Sequence, residues 1–191
     1  MKQIGLFFGS FNPIHIGHLA LANYMCEFEE MDEVWFVVSP QNPFKSSLDL
    51  ISTHHRIKMV ELAIAQYANF QVEDIESSMP VPSYTINTLT ELRKIHSDCE
   101  FNIIMGADNI QNIHRWKDGD RILTDYCILV YPRLRYSTDH MQLPLSVRIT
   151  EAPNIEVSST QIREWIKNGK QLPFLTSPAV MNYINTNHLY Q

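Results

Sequence analysis

Ile4-Gly5-Leu6-Phe7-Phe8-Gly9-Ser10-Phe11-Asn12-Pro13-Ile14-His15-Ile16-Gly17-His18-Leu19 is the stretch that decides how this chain folds. The apolar run Ile4–Phe8 reads as a buried strand, and Leu19, Leu21, Ala22, Met25 and Phe28 mark a helix packed on a sheet. A strand, a glycine-bearing turn and a helix start together present backbone N–H groups and a helix dipole to an anion. Gly9 and Gly17 leave room for a ligand to approach the backbone. His15 and His18 stand three residues apart at the helix start, so they share a face and can reach one ligand. Imidazole donates to phosphate oxygens. A tight turn with two incidental surface histidines would account for the glycines alone; both glycines, Pro13 and both histidines in register after a strand favour a site.

Outward from that stretch, strand and helix signals alternate. Val34–Val38 is a continuous apolar run, as in a strand covered on both faces, and it ends in the proline-stiffened Ser39-Pro40-Gln41-Asn42-Pro43-Phe44-Lys45. Thr53 is placed to cap a helix that carries Ile57, Val60, Ile64 and Tyr67 and runs to Ala68. Phe70–Val72 reads as a short strand, and Ser83 or Thr85 opens a helix through Ile86, Leu89 and Leu92. Phe101–Gly106 and Cys127–Tyr131 are further strands, with one or two helical pieces between Ala107 and Leu123. Pro132 to Pro153 carries little periodicity beyond a strand signal at Val147 to Thr150, Ile155–Val157 reads as a short last strand, and helices are expected over Ser159–Lys167 and Pro178–Asn185. Such alternation predicts an α/β fold: a Rossmann-like, doubly wound parallel sheet with right-handed crossovers and ligands at the carboxyl ends of the strands. The loops Gly9–His18, Ser39–Lys45, Gly106–Asp108 and Val157–Arg163 all follow predicted strands.

The 191 residues fit one domain, 1–191, with helices from about residue 159 packed on it, and no repeat or linker marks a second. A net charge of -6 offers no general attraction to nucleic acid or an acidic membrane, yet leaves room for a small basic pocket. Cys26, Cys99 and Cys127, odd in number and set among apolar residues, read as reduced core thiols of a cytoplasmic protein. No signal-peptide pattern precedes the first strand, and no apolar run approaches the ~20 residues of a membrane span. His54, His55, His96, His114, His140 and His188 show no metal-ligand spacing and are read as structural or surface residues, so no protein metal site is expected. Asp49, Asp118 and Asp120 read as solvated loop charges.

Gly9-Ser10-Phe11-Asn12-Pro13-Ile14-His15-Ile16-Gly17-His18 resembles the GSFxPxHxGH form of the HxGH signature of the nucleotidyltransferase superfamily. Four later stretches resemble motifs of its bacterial nicotinate mononucleotide adenylyltransferases, in the same order: Ser39 to Lys45, Ser83-Tyr84-Thr85, Gly106-Ala107-Asp108 with Trp116 beyond, and Val157 to Arg163. The last is similar to the superfamily's Ile-Ser-Ser-Thr-x-x-Arg, with Val157 in place of Ile. The resemblance implies transfer of AMP from ATP to nicotinate mononucleotide, with Mg²⁺ arriving on the nucleotide. It implies catalytic roles for His15, His18, Lys45 and Arg163, converging on phosphates. ATP would be held by Gly9, Ser10, Phe11, His15, His18, Gly106, Asp108, Ser158, Ser159, Thr160 and Arg163, and the mononucleotide by Asn12, Lys45, Ser83, Tyr84, Thr85 and Trp116.

Plainer readings stand beside these. Lys45 alone would be a solvated charge, Asp108 a helix cap, Trp116 a core residue, and Ser83 and Thr85 caps. Ser158 with Gln161 fits a capping box, which leaves Arg163 unexplained. Phosphoryl chemistry of this kind needs alignment and charge neutralisation, not a covalent nucleophile. No acidic residue lies within Ser83 to Thr90, so the uncapped N–H groups of that helix favour an anionic acceptor, nicotinate over nicotinamide. The competing readings are a phosphopantetheine-type adenylyltransferase and a non-catalytic nucleotide-binding module. The partners expected are small molecules, not nucleic acid or membrane, and a homo-oligomer is left open.

Overall fold

The computed structural model of the chain describes residues 1–41 and 50–191. Among them six strands form one all-parallel sheet: β1 (Lys2–Gly9), β2 (Glu33–Val38), β3 (Phe70–Glu73), β4 (Cys99–Gly106), β5 (Cys127–Tyr131) and β6 (Val147–Ile149). Their order is β3-β2-β1-β4-β5-β6. The chain therefore winds outward one way from β1 through β2 to β3, then returns to start the other half at β4. Next to β1 the strand order reverses, and the loops leaving β1 and β4 part there, which opens a crevice at their carboxyl ends.

Helices α1 (Ile16–Phe28), α2 (Thr53–Ile64), α3 (Thr85–Ile95), α4 (Ala107–Ile110), α5 (Gly119–Asp125), α6 (Ser159–Lys167) and α7 (Pro178–Thr186) fill the rest. Alternate strand residues feed two separate cores. Phe7, Phe36, Ile104 and Leu129 pack with Ala22, Met25, Met59, Ile162 and Val180 of α1, α2, α6 and α7 on one face. Leu6, Val37, Ile103 and Val130 pack with Leu89, Leu92 and Ile122 of α3 and α5 on the other. All six residues of β2 are buried, as its unbroken apolar run requires of a strand covered on both faces.

Several local expectations are corrected. Ile155–Val157 forms no strand: the sheet ends at β6, and the chain from Glu151 to Ser158 runs irregularly to α6. Ser52, not Thr53, caps α2, accepting from the His55 N–H at 3.4 Å, while the Thr53 hydroxyl accepts from Arg56. The helix stops at Ile64, leaving Tyr67 more than half exposed. Between Ala107 and Asp125 there are three short pieces, α4, a 3-10 turn at Ile113–Arg115 and α5, because Gly119 closes directly on the Ile113 carbonyl, where no Cβ would fit. Asp118 stands at the start of α5 with φ +51 and its side chain caps nothing. Of the cysteines only Cys99 is buried; Cys26 is half-buried and Cys127 exposed, since Cys127 is the first residue of its strand. His55 is fixed, with Nδ1 2.8 Å from the Tyr183 hydroxyl, and His96 sits edge-on to Trp35. No described helix is long and apolar enough to cross a membrane.

Candidate active site

The crevice beside β1 is a cavity of about 510 Å³. Its floor is the turn after β1, which begins under strain. Phe11 has φ +45, costly for a residue with a bulky Cβ, and is held there by its ring, which meets Phe36 at 5.5 Å and His18 at 5.0 Å between centroids, both edge-on. A Cβ on Gly9 would strike that ring, so glycine there is a packing requirement.

The carbonyl groups of the turn point into the protein, where donors from remote parts of the chain meet them. Ser10 O accepts from the Arg56 guanidinium at 2.8 Å, Asn12 O from Arg163 at 3.0 Å, Pro13 O from the Ser159 hydroxyl at 2.8 Å, and Ile14 O from the Thr176 hydroxyl at 3.1 Å. The Tyr190 hydroxyl donates to Asn12 Oδ1 at 2.8 Å. With one edge of the turn clamped this way, its other edge and the start of α1 face the cavity. Ile16 N–H, an otherwise unmatched donor of the first helical turn, donates to the Leu175 carbonyl at 2.9 Å.

His15 and His18 stack with ring centroids 3.7 Å apart, and both line the cavity. His18 Nδ1 accepts from the His15 N–H at 3.2 Å, so in the neutral ring the proton sits on Nε2, as a donor. His15 is buried, its Nδ1 has no hydrogen-bond partner, and burial with the nearby Arg133 charge brings its pKa down to about 4. It is neutral at pH 7.

The structure brings almost all of the expected site residues together. Gly9, Ser10, Phe11, Asn12, His15, His18, Ser83, Tyr84, Thr85, Asp108, Trp116, Ser158, Ser159, Thr160 and Arg163 line this one cavity. Gly106 does not line it; it serves from behind, since a Cβ there would collide with the Asp108 carboxylate. Lys45 lies outside the described residues. Ser158 and Gln161 form the expected capping box, each bonding the other's backbone N–H at 3.2 Å. Ser159 spends its hydroxyl proton on Pro13, and Ser83 spends its own on Glu76 Oε2 at 2.5 Å.

Three charged cavity residues were not found from sequence. Arg133, after β5, lies 3.6 Å from the Asp108 carboxylate through Nε and donates to the Tyr131 hydroxyl at 3.1 Å. Lys117 places its ammonium 5.0 Å from the centre of the Tyr84 ring. Glu76 is a buried carboxylate on the wall that Ser83, Tyr84 and Thr85 form, brought there from outside the acid-free stretch Ser83 to Thr90. An isolated Arg, Lys or Glu carries no spacing signal, so only the fold could find them. Behind the cavity Arg56, fully buried, bonds Ile51 O, Ser10 O, Ser39 O, Pro40 O and Thr53 Oγ1. Among the described residues no three His, Cys, Asp or Glu are grouped as metal ligands.

Comparison with known proteins places this geometry. Residues 6–165 match the cytidylyltransferase-like family. A Bacteroides fragilis protein named "Probable nicotinate-nucleotide adenylyltransferase" is 50% identical over 182 residues, 95% of this chain and 90% of the relative. A Flavobacterium johnsoniae protein of the same name is 41% identical over 99% of each chain. Plasmodium falciparum nicotinic acid mononucleotide adenylyltransferase complexed with NaAD superimposes with a TM-score of 0.85 at 21% identity, covering 100% of this chain and 98% of that one. That last likeness speaks for the fold.

Proposed function

From the premise that this chain belongs to the nicotinate-nucleotide adenylyltransferases of the cytidylyltransferase-like family, we propose that it transfers AMP from ATP to nicotinate mononucleotide in NAD biosynthesis. The products are deamido-NAD and pyrophosphate. An oxygen of the mononucleotide 5′-phosphate forms a bond to the ATP α-phosphorus, and the electron pair of the bond from that phosphorus to the bridging oxygen leaves with pyrophosphate.

The observation that carries this reading is the turn after β1. Its carbonyls are held by Arg56, Arg163, Ser159 and Thr176, and its other edge meets a cavity with two stacked imidazoles and Arg163. Such a surface aligns phosphates and neutralises their charge without supplying a nucleophile. In this reading His18 donates from Nε2 to the α-phosphate, and His15 and Arg163 face the phosphates. Ser10, Thr160 and the start of α6 border them. Asp108, steadied by Arg133, accepts from the adenosine ribose hydroxyls. Trp116 stacks on the pyridinium, whose electron-poor ring suits an indole face. The acceptor's carboxylate meets the first turn of α3, which Tyr84 leaves without a side-chain cap, and the Lys117 ammonium close by adds positive charge that offsets Glu76. Family members use a divalent cation with ATP; here it is Mg²⁺, entering as part of the substrate and neutralising phosphate charge.

The test is pyrophosphate release from ATP with nicotinate mononucleotide, nicotinamide mononucleotide and 4′-phosphopantetheine as acceptors. The expected result is turnover with the nicotinate compound, at kcat/KM roughly ten- to a hundredfold above the nicotinamide compound, the worth of one charge-assisted hydrogen bond. Preference for the amide would overturn the specificity, preference for phosphopantetheine the acceptor class, and no release with any acceptor the catalytic reading.

A further inference from the structure

Glu76 is out of place for an ordinary surface acid. It sits in the 3-10 turn Ile75–Ser78, is 2% exposed, and lines the cavity from within. A carboxylate is buried only where donors replace its water. Here Oε2 accepts the Ser83 hydroxyl proton at 2.5 Å and Oε1 accepts that of Thr88, itself fully buried, at 2.7 Å. These two donors bracket the first turn of α3: Ser83 precedes the cap residue Tyr84, and Thr88 lies one turn into the helix. The turn between them closes through the Asn87 and Thr88 N–H groups, both donating to the Tyr84 carbonyl. One rigid carboxylate therefore grips both ends of the segment whose N–H groups, Tyr84 ring and Thr85 side chain form the cavity wall beside Trp116 and Lys117.

We propose that Glu76 is a positioning residue for the acceptor mononucleotide. It locks the Tyr84–Thr85 turn in the orientation that reads the pyridine substituent. The inference rests on the adenylyl-transfer reading above and adds to it which residue shapes the acceptor side. Ser83 then acts through Glu76 more than by direct contact. The hydroxyls that Glu76 binds both belong to the α3 side of the cavity, so the ATP side should not feel it.

Two variants test this. Glu76→Gln keeps the shape and removes one of the two acceptors. Thr88→Val keeps the shape and removes one of the two donors, away from every residue placed against substrate, so it decides the matter if Glu76→Gln does not fold. Steady-state KM is measured separately for ATP and for nicotinate mononucleotide. Each variant should raise the KM for nicotinate mononucleotide about tenfold, the usual effect of losing a hydrogen bond to a charged group. The KM for ATP and kcat should stay within about twofold of wild type. If both KM values rise in step, Glu76 is a general structural residue and the proposal falls; it falls equally if neither moves. Wild-type turnover of nicotinate mononucleotide is measured first and alone decides the adenylyl-transfer reading, while the variant-to-wild-type ratios decide Glu76.

Discussion

Replacing Arg56 by lysine should cost this protein far more than the swap of one cation for another suggests. The guanidinium has five N–H groups and uses them on five acceptors: Nε on Ile51 O at 3.1 Å, one terminal nitrogen on Ser10 O and Ser39 O at 2.8 and 2.7 Å, the other on Pro40 O and Thr53 Oγ1, both at 3.0 Å. Burial lowers its pKa to about 10, so it is charged at neutral pH and the bonds are charge-assisted. An ammonium has three donors, all at one point, and cannot span acceptors set around a planar fork. At least two part-buried oxygens lose their partner, at about 1–3 kcal/mol each, or roughly 2–6 kcal/mol in total. For a domain near 200 residues, each kcal/mol shifts the melting temperature by about 2–4 °C, which gives a fall on the order of 5–20 °C. Scanning calorimetry of Arg56→Lys against wild type reads it directly. A melting temperature within about 2 °C of wild type would show that water or relaxation satisfies those carbonyls, and that Arg56 does not tie the turn after β1 to the loop after β2.

His18→Ala should lower kcat about a hundredfold while leaving the dissociation constant for ATP within a few-fold, because a preorganised donor to developing charge is worth about 3 kcal/mol; pre-steady-state turnover and ATP titration separate the two. Arg163→Lys should raise the KM for ATP and lower kcat at unchanged far-UV circular dichroism, since one ammonium cannot hold the Asn12 carbonyl and a phosphate together; wild-type kinetics would reduce Arg163 to a residue of the α6 start. His15 titrates near 4 in the fold against 6.5 in the unfolded chain, so between those values the unfolded chain binds the extra proton and stability rises with pH. About 3 kcal/mol present at pH 7 is therefore lost on descending to pH 4. In urea titrations at pH 4.5 and 7, His15→Asn should shrink the acid loss by roughly 2–3 kcal/mol, and an unchanged loss would place the titration elsewhere.

What the sequence made legible was whatever repeats locally. The apolar runs of β1, β2, β4 and β5 sit between turns rich in Gly and Pro, and α6 runs over the Ser159–Lys167 span its capping box announced. The strand signal at Ile155–Val157 misled because three residues fit a strand by pattern, while the sheet ends at β6. Ser83 and Ser159 were recognisable as site residues, but not the direction of their hydroxyls, which is set by partners 7 and 146 residues away. Arg56, Glu76, Lys117 and Arg133 carried no motif at all. Their roles come from burial and from the convergence of loops that only the sheet order brings about.

That convergence also resolves an electrostatic tension. The chain carries a net charge of -6, yet the proposed substrates are both polyanions. Among the described residues the cavity gathers Lys117, Arg133 and Arg163 on its wall, and Arg56 stands directly behind the turn, bonded to Ser10 O. The two carboxylates that intrude are each engaged: Asp108 by Arg133, Glu76 by the hydroxyls of Ser83 and Thr88. A local positive field in a chain of negative net charge draws small phosphorylated ligands into one crevice, while long polyanions find no general attraction. The cations reach that crevice from α2, α6 and the loops after β4 and β5, so the field exists only when the sheet has closed. Arg163 shows the economy of the arrangement, because the guanidinium that fixes the Asn12 carbonyl also faces the cavity; fixing the turn and charging the site are one act.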